Sequence, residues 1–215
     1  MMLVNLSENN SIVQHFLDQI RDKEIQKDSL RFRKNLFRIA QIIAYEASKQ
    51  LNYATKNIET PITNTSVNVI NNQPIICSIL RAGLVMHEGF LDFFDQSDSA
   101  FVSAYRKHSA PGEFEIVVEY MASPSLQDKT VILVDPMLAT GRSMYLAYQA
   151  ICKHGVPAKV IIATLIASEQ GLVYINRFMP KANIITAAID SDLNENSYIV
   201  PGLGDAGDLA YGIKL

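Results

Sequence analysis

The sequence predicts an α/β fold, a mostly parallel sheet flanked by helices, with an N-terminal helix pair and a small β flap or hood. Three observations predict it. Short apolar runs at 74–80, 131–134, 159–166 and 183–189 are rich in Val and Ile and lack polar alternation, as strands buried on both faces must be. The intervening segments 84–94, 144–153 and 168–178 carry apolar residues at helical spacing, so strand and helix alternate and the strands pair in parallel. The chain of 215 residues is 48% hydrophobic, enough for a sizeable core, and holds no linker-like or repetitive stretch that would divide it.

Residues 1–10 turn polar after four positions and lack the apolar core of a signal peptide. No run reaches the roughly 18 apolar residues of a membrane span, so a cytoplasmic protein without membrane contact is expected, and the acceptor patterns at Asn9 and Asn64 carry no glycan. Residues 11–25 and 28–51 form two helices, the second with Leu36, Ala40, Ile43, Ala47 and Leu51 on one face. That face needs cover. The same surface of a second subunit is favoured, which makes a dimer, and the chain's own sheet is the alternative. Residues 53–70 mix β-branched and polar side chains around Pro61, as in short antiparallel flap strands. Residues 100–105 and 113–121 form a strand pair joined by a polar tip, 106–112. Cys77 lies in an apolar run and Cys152 in a helix, a pattern of reduced, buried thiols. With a net charge of −3 and 19 scattered basic residues, no extended nucleic-acid surface is expected.

Chemistry concentrates in Val131-Ile-Leu-Val-Asp135-Pro-Met-Leu-Ala-Thr140-Gly141-Arg142-Ser143. A buried strand runs into an acid, a Thr-Gly turn and a helix. Free N–H groups at a helix start bind anions, and the hydroxyls of Thr140 and Ser143 add donors for phosphate oxygens. Asp135, at the strand's carboxyl end, can accept from two vicinal sugar hydroxyls, so the segment suits a sugar phosphate. No Gly-x-x-x-x-Gly-Lys-Ser/Thr occurs, and Arg142 occupies the place of its Lys, which argues against nucleotide triphosphate hydrolysis.

Two cationic strand ends accompany this motif. Arg81, in Leu80-Arg81-Ala82-Gly83, offers a planar fork for phosphate, and Gly83 permits close backbone approach. Arg106, with Lys107 and His108, lies on a tip suited to close over an anion. Ordinary turn chemistry explains each of these segments singly; their coincidence around one phosphate-type turn suits a diphosphate. Near the C-terminus, residues 202–207 spell Gly-x-Gly-x-x-Gly, but only eight residues follow Gly207, too few for the remainder of a dinucleotide-binding unit. The glycines instead expose main-chain N–H and C=O groups beside Asp205 and Asp208. Alternating donors and acceptors match a flat heterocycle such as uracil, whereas cytosine would leave groups unpaired at about 1–3 kcal/mol each. The four histidines show no metal-ligand spacing, and no hydrolase motif surrounds Ser78 or Ser168.

Assembled, these residues resemble the uracil phosphoribosyltransferase family over nearly the whole chain. The match is carried by Ile79-Leu80-Arg81-Ala82-Gly83-Leu84, by residues 134–141, by Ala187-Ala188-Ile189-Asp190, by Leu193-Asn194-Glu195 and by residues 198–208; Tyr45-Glu46-Ala47 and Glu59-Thr60-Pro61 add to it. The resemblance implies a phosphoribosyltransferase-like single domain over 1–215, with helices in 1–52 and a flap and uracil-binding segment in 53–72 and 190–215. It implies transfer of ribose 5-phosphate from phosphoribosyl diphosphate (PRPP) to N1 of uracil, giving UMP, with Mg²⁺ carried by the donor. On this resemblance PRPP meets Arg81, Arg106, Asp135, Pro136, Met137, Leu138, Ala139, Thr140, Gly141, Arg142, Ser143 and Asp205. Uracil meets Ile199, Gly204, Asp205 and Ala206. Catalysis falls to Asp135, Arg81, Arg106 and Asp205, the last also helping to place the metal. GTP is a candidate activator, and a homodimer or larger homo-oligomer is expected.

The chain departs from the family pattern at several places. Arg142 and Val85 stand where Gly is usual, Ser78 replaces a Pro, Lys107-His108 replace an acidic stretch, and a Lys-Leu-Pro after Tyr120 is missing. Two other functions compete: a pyrimidine-operon regulator that binds RNA on the same fold, whose loop carries the same Thr-Gly-Arg, and a catalytically weakened paralogue that senses ligand. The acidic balance and the Gly-Asp-Ala-Gly-Asp segment favour the enzyme.

Overall fold

The apolar runs form the centre of one eight-stranded sheet in the computed structural model, which describes residues 2–110 and 113–214, with side chains described outside 104–119. In chain order the elements are β1 (Leu3–Asn5), α1 (Ile12–Arg21), α2 (Ser29–Ser48), β2 (Tyr53–Glu59), β3 (Asn64–Ile70), β4 (Ile75–Leu80), α3 (Gly83–Leu91), β5 (Ser99–Ala110) and β6 (Glu113–Ala122). There follow β7 (Thr130–Val134), β8 (Met137–Leu138), α4 (Arg142–Ile151), β9 (Lys159–Ser168), α5 (Glu169–Phe178), β10 (Asn183–Asp190), β11 (Asp192–Leu193), β12 (Ile199–Val200) and α6 (Ala206–Tyr211). The sheet order is β1-β10-β9-β7-β4-β5-β6, with β8 joining the end of β9. All pairs in it are parallel except β5 with β6.

The reason for the unbroken apolar runs lies in the two layers that cover the sheet. Ile76, Ile132, Val134, Ile161, Ala163 and Ile185 face α1, α2, α3 and the C-terminal segment. Their sequence neighbours Ile75, Cys77, Val131, Leu133, Ile162 and Ile184 face α4 and α5. Successive residues thus point into opposite apolar layers, and each fully buried Ile, Leu or Val contributes roughly 1.5–3 kcal/mol.

The N-terminal helices belong to the first layer. Ser11 closes a capping box with Gln14 at the start of α1, and Asp28 accepts from the Leu30 and Arg31 amides at the start of α2. The apolar face of α2 was expected to favour a second subunit; it packs instead on α3, β9, β10 and α6. Phe32, Leu36, Ile39, Ala40, Ile43, Ala44 and Ala47 are fully buried within the chain. A sheet face must be roofed, and this 20-residue helix, about 30 Å long, is the element able to roof it.

Two further readings change. The N-terminal segment, for which no strand was expected, supplies β1, which extends the sheet beside β10. The tip expected at 106–112 is shorter, because β5 continues to Ala110 and pairs Arg106 with Ile116 and His108 with Phe114. Ladder hydrogen bonds to β6 override the weak strand preference of Arg-Lys-His-Ser. The flap is the antiparallel pair β2–β3, a two-stranded sheet of its own.

Candidate functional site

From β4 the chain moves to β5 on one side of the sheet and then returns to β7 on the other, so the order reverses between β4 and β7. Crevices outside the carboxyl ends of strands at such a reversal hold ligands. Here those ends carry Arg81 and Asp135. They are drawn together by Gly83, where a Cβ atom would lie 2.6 Å from the Val134 carbonyl oxygen, so only glycine lets the turn after β4 pack against the end of β7. The Leu80–Arg81 peptide is cis.

Asp135 is half-buried and accepts a 3.3 Å hydrogen bond at Oδ1 from the Met137 amide. Burial pushes its carboxyl from the ordinary 3.8 up to about 7, the Met137 amide opposes the shift, and the Asp205 carboxylate adds to it. The charge of Asp205 is thus felt at Asp135, although the two are far apart in sequence. Near neutral pH the Asp135 carboxyl is poised between its charged and neutral forms.

The segment after Asp135 is anchored from below. Leu138 is buried and pairs with Ala167, and Ser168 Oγ donates to the Ala139 carbonyl at 2.6 Å while accepting from the Gly171 amide. A Cβ on Gly171 would meet the Ala139 and Leu138 oxygens at 2.4 and 2.7 Å, so α5 seats directly beneath the turn. Pro136 is buried; Met137, Ala139, Thr140 and Ser143 are half-buried. Gly141 takes a left-handed conformation (φ +76°) at the cap position of α4, which has no side-chain cap bond. Apart from the Arg142 amide, which donates to Thr140 Oγ1, its opening amides are therefore available as anion donors. Thr140 Oγ1 lies 3.4 Å from the Arg142 amide, and the Arg142 side chain is exposed at the first position of the helix.

The third component is the C-terminal segment. Ile199 is buried in β12, which pairs with β11. Gly204 (φ +94°) has no atom within 4 Å of where a Cβ would stand, so its backbone is open on that side. Asp205 caps α6, accepting from the Gly207 and Asp208 amides at 2.9 and 3.0 Å, with Lys214 Nζ 3.7 Å from its other oxygen. The Asp205 cap starts a short helix despite the glycines. Asp208 holds Arg81 through a 2.8 Å ion pair, and Arg81 also donates to the Gly212 carbonyl at 3.3 Å. The Arg81 side chain remains 44% exposed.

Arg81, Asp135, Asp205 and Gly204 thus converge from three parts of the chain. The Arg106 side chain lies outside the described residues. Two departures from the family pattern have local explanations. Ser78 Oγ hydrogen-bonds His87 Nδ1 at 2.6 Å, a buried contact that a Pro could not make, and Val85 is buried in the layer under α2. The supporting roles of Ser168 and Gly171 were not legible beforehand; a lone glycine inside a helical pattern was the available signal.

The sheet is mostly parallel, with an acid and a phosphate-type turn at its reversal point, and by family the chain is a phosphoribosyltransferase. The family model for uracil phosphoribosyltransferase matches residues 7–213, and the chain belongs to that family. Uracil phosphoribosyltransferase of Porphyromonas gingivalis is 47% identical over 216 residues, covering 100% of both chains. The Thermococcus gammatolerans enzyme of the same name is 36% identical, covering 97% of this chain and 92% of the relative. The solved structure of the AQ2163 protein from Aquifex aeolicus superposes with a TM-score of 0.87 at 32% identity, over 100% of both chains.

Proposed function

We propose that this protein transfers the 5-phosphoribosyl group of PRPP to N1 of uracil, giving UMP and diphosphate. The observation that carries the reading is the gathering of Asp135, at the end of β7, with Arg81, held by Asp208 and packed close through Gly83, and with Asp205 at the start of α6. The C1–oxygen bond to diphosphate breaks, the C1–N1 bond forms, and the N1 proton leaves to water. Positive charge grows on the sugar and negative charge on the leaving group, so positioning and electrostatics supply most of the rate. Asp135 holds the ribose hydroxyls, backbone amides and the hydroxyls of Thr140 and Ser143 within 137–143 hold the 5-phosphate, Arg81 serves the diphosphate, and the family resemblance assigns Arg106 the same role. Ile199 and the backbone of Gly204, Asp205 and Ala206 receive uracil.

Among the described residues no group of three or more His, Cys, Asp or Glu forms a metal cage. The Asp205 carboxylate fits a Mg²⁺ ion delivered with the donor, since Mg²⁺ keeps several waters and uses one or two carboxylates beside substrate phosphates. Asp205 would hold it, with Asp135 nearby, and the ion would neutralise charge on the departing diphosphate. A homodimer in the cytoplasm completes the reading, supported by the partly exposed apolar groove of Phe16, Ile42, Tyr45 and Phe93 beside α2. No helix among the described residues is long and apolar enough to cross a membrane.

The test is release of diphosphate from PRPP in the presence of uracil, cytosine, hypoxanthine or orotate. Turnover that depends on uracil is expected. Turnover with another base, or none together with tight RNA binding, would overturn the proposal.

A further inference from the structure

Arg21, the last residue of α1, forms a two-pronged ion pair with Asp190, the last residue of β10. Nη1 meets Oδ2 and Nη2 meets Oδ1, both at 2.8 Å. The pair is largely withdrawn from solvent, with the Asp190 side chain 7% and the Arg21 side chain 24% exposed. Both partners also grip one residue of the C-terminal segment, Gly202, through its carbonyl and its amide. Arg21 Nη1 donates to the Gly202 carbonyl at 3.1 Å, and the Gly202 amide donates to Asp190 Oδ2 at 2.8 Å.

Gly202 is a demanding place to hold the chain. Its φ is +58°, and a Cβ there would stand 2.1 Å from the Ile199 carbonyl oxygen, so the turn folds back on Ile199. Two residues on comes Gly204, with its open backbone, and next Asp205. An ion pair anchored in α1 and β10 therefore fixes the base of the strip that presents Ile199, Gly204, Asp205 and Ala206. The amides at the start of α4 and the turn before it are anchored separately, by Ser168 and Gly171.

We propose that Arg21 and Asp190 are positioning residues for nucleobase recognition: through Gly202 they set the backbone geometry that reads uracil, without touching either substrate. This rests on the proposed transferase function. The planar fork of Arg is required because one guanidinium must satisfy two carboxylate oxygens and a carbonyl, which a single ammonium cannot do with the same directionality.

The experiment compares wild type, Arg21→Lys, Arg21→Met and Asp190→Asn for KM of uracil, KM of PRPP, kcat and thermal midpoint. A rise of about tenfold or more in the KM for uracil is expected for Arg21→Met, with the KM for PRPP changed less than about twofold. Arg21→Lys should recover part of the loss and carries the test if the Met variant does not fold. Equal changes in both KM values, or an unchanged KM for uracil in a folded variant, would overturn the inference. Absence of uracil-dependent turnover in the wild type would instead overturn the functional reading itself.

Discussion

Replacing Asp135 by Asn should make the protein more stable at alkaline pH while removing most of its activity. The native carboxyl titrates at about 7 against an ordinary 3.8, so the folded state binds this proton more tightly than the unfolded chain does. Stability from this group is complete below about pH 4 and is lost as pH rises, the loss being full above about pH 7. Roughly three units at about 1.4 kcal/mol each gives on the order of 4 kcal/mol. Solvent access to the half-buried side chain reduces this to about 2 kcal/mol. Asn is neutral and of equal size, and its Oδ1 can still accept from the Met137 amide. Calorimetry should therefore find the Asn variant and wild type alike near about pH 4, and the variant melting about 4–8 °C higher near about pH 8. In turnover assays the variant should lose roughly 10–100-fold, since charged hydrogen bonds to the ribose are worth about 1.5–3 kcal/mol. A difference in melting that does not depend on pH, or a variant that melts lower at about pH 8, would refute the reasoning.

Two further outcomes follow from the packing. Gly171→Ala should gain about 1 kcal/mol of helix propensity but lose about 1–3 kcal/mol to crowding, because the added methyl meets two backbone oxygens that hold the phosphate-type turn. A lower melting temperature and a raised KM for PRPP are expected; unchanged values in both would show that the turn yields freely. Burial pushes the Cys77 thiol up to about 12, whereas Cys152 is partly exposed, so alkylation of the native protein near about pH 8 should label Cys152 alone and both thiols after unfolding. Mass spectrometry reads the two states directly.

Much of this arrangement was legible in the sequence because the features concerned are local. Residues 131–134 could be recognised as a strand buried on both faces, and the Thr140-Gly141 turn lies beside the helix it opens. Features that depend on distant pairing were not legible. Leu3, Val4 and Asn5 form a strand only because β10 lies beside them, and nothing within the first ten residues signals it. The covering of α2 needed knowledge of which sheet face stood bare. Arg81 and Asp208 are separated by 127 positions, and Arg21 and Asp190 by 169, so no local spacing could have paired them. Helix α6 was hidden by glycines that normally oppose a helix, and its start depends on the Asp205 cap.

Because neighbouring residues of each central strand point into separate apolar layers, the sheet works as a partition through the molecule. The helix opened by the phosphate-type turn, α4, rests with α5 on one side of that wall, while Met137 and Ala139 of the turn itself reach the other. The strip suited to a pyrimidine rests on the other, with the N-terminal helices and α6. Loosening the α4–α5 compartment should therefore weaken the hold on the 5-phosphate before it disturbs the pyrimidine strip. Uracil, in turn, should slow amide exchange chiefly in the half that holds its strip, whereas PRPP, which also meets Arg81 and Asp205, should slow it on both sides.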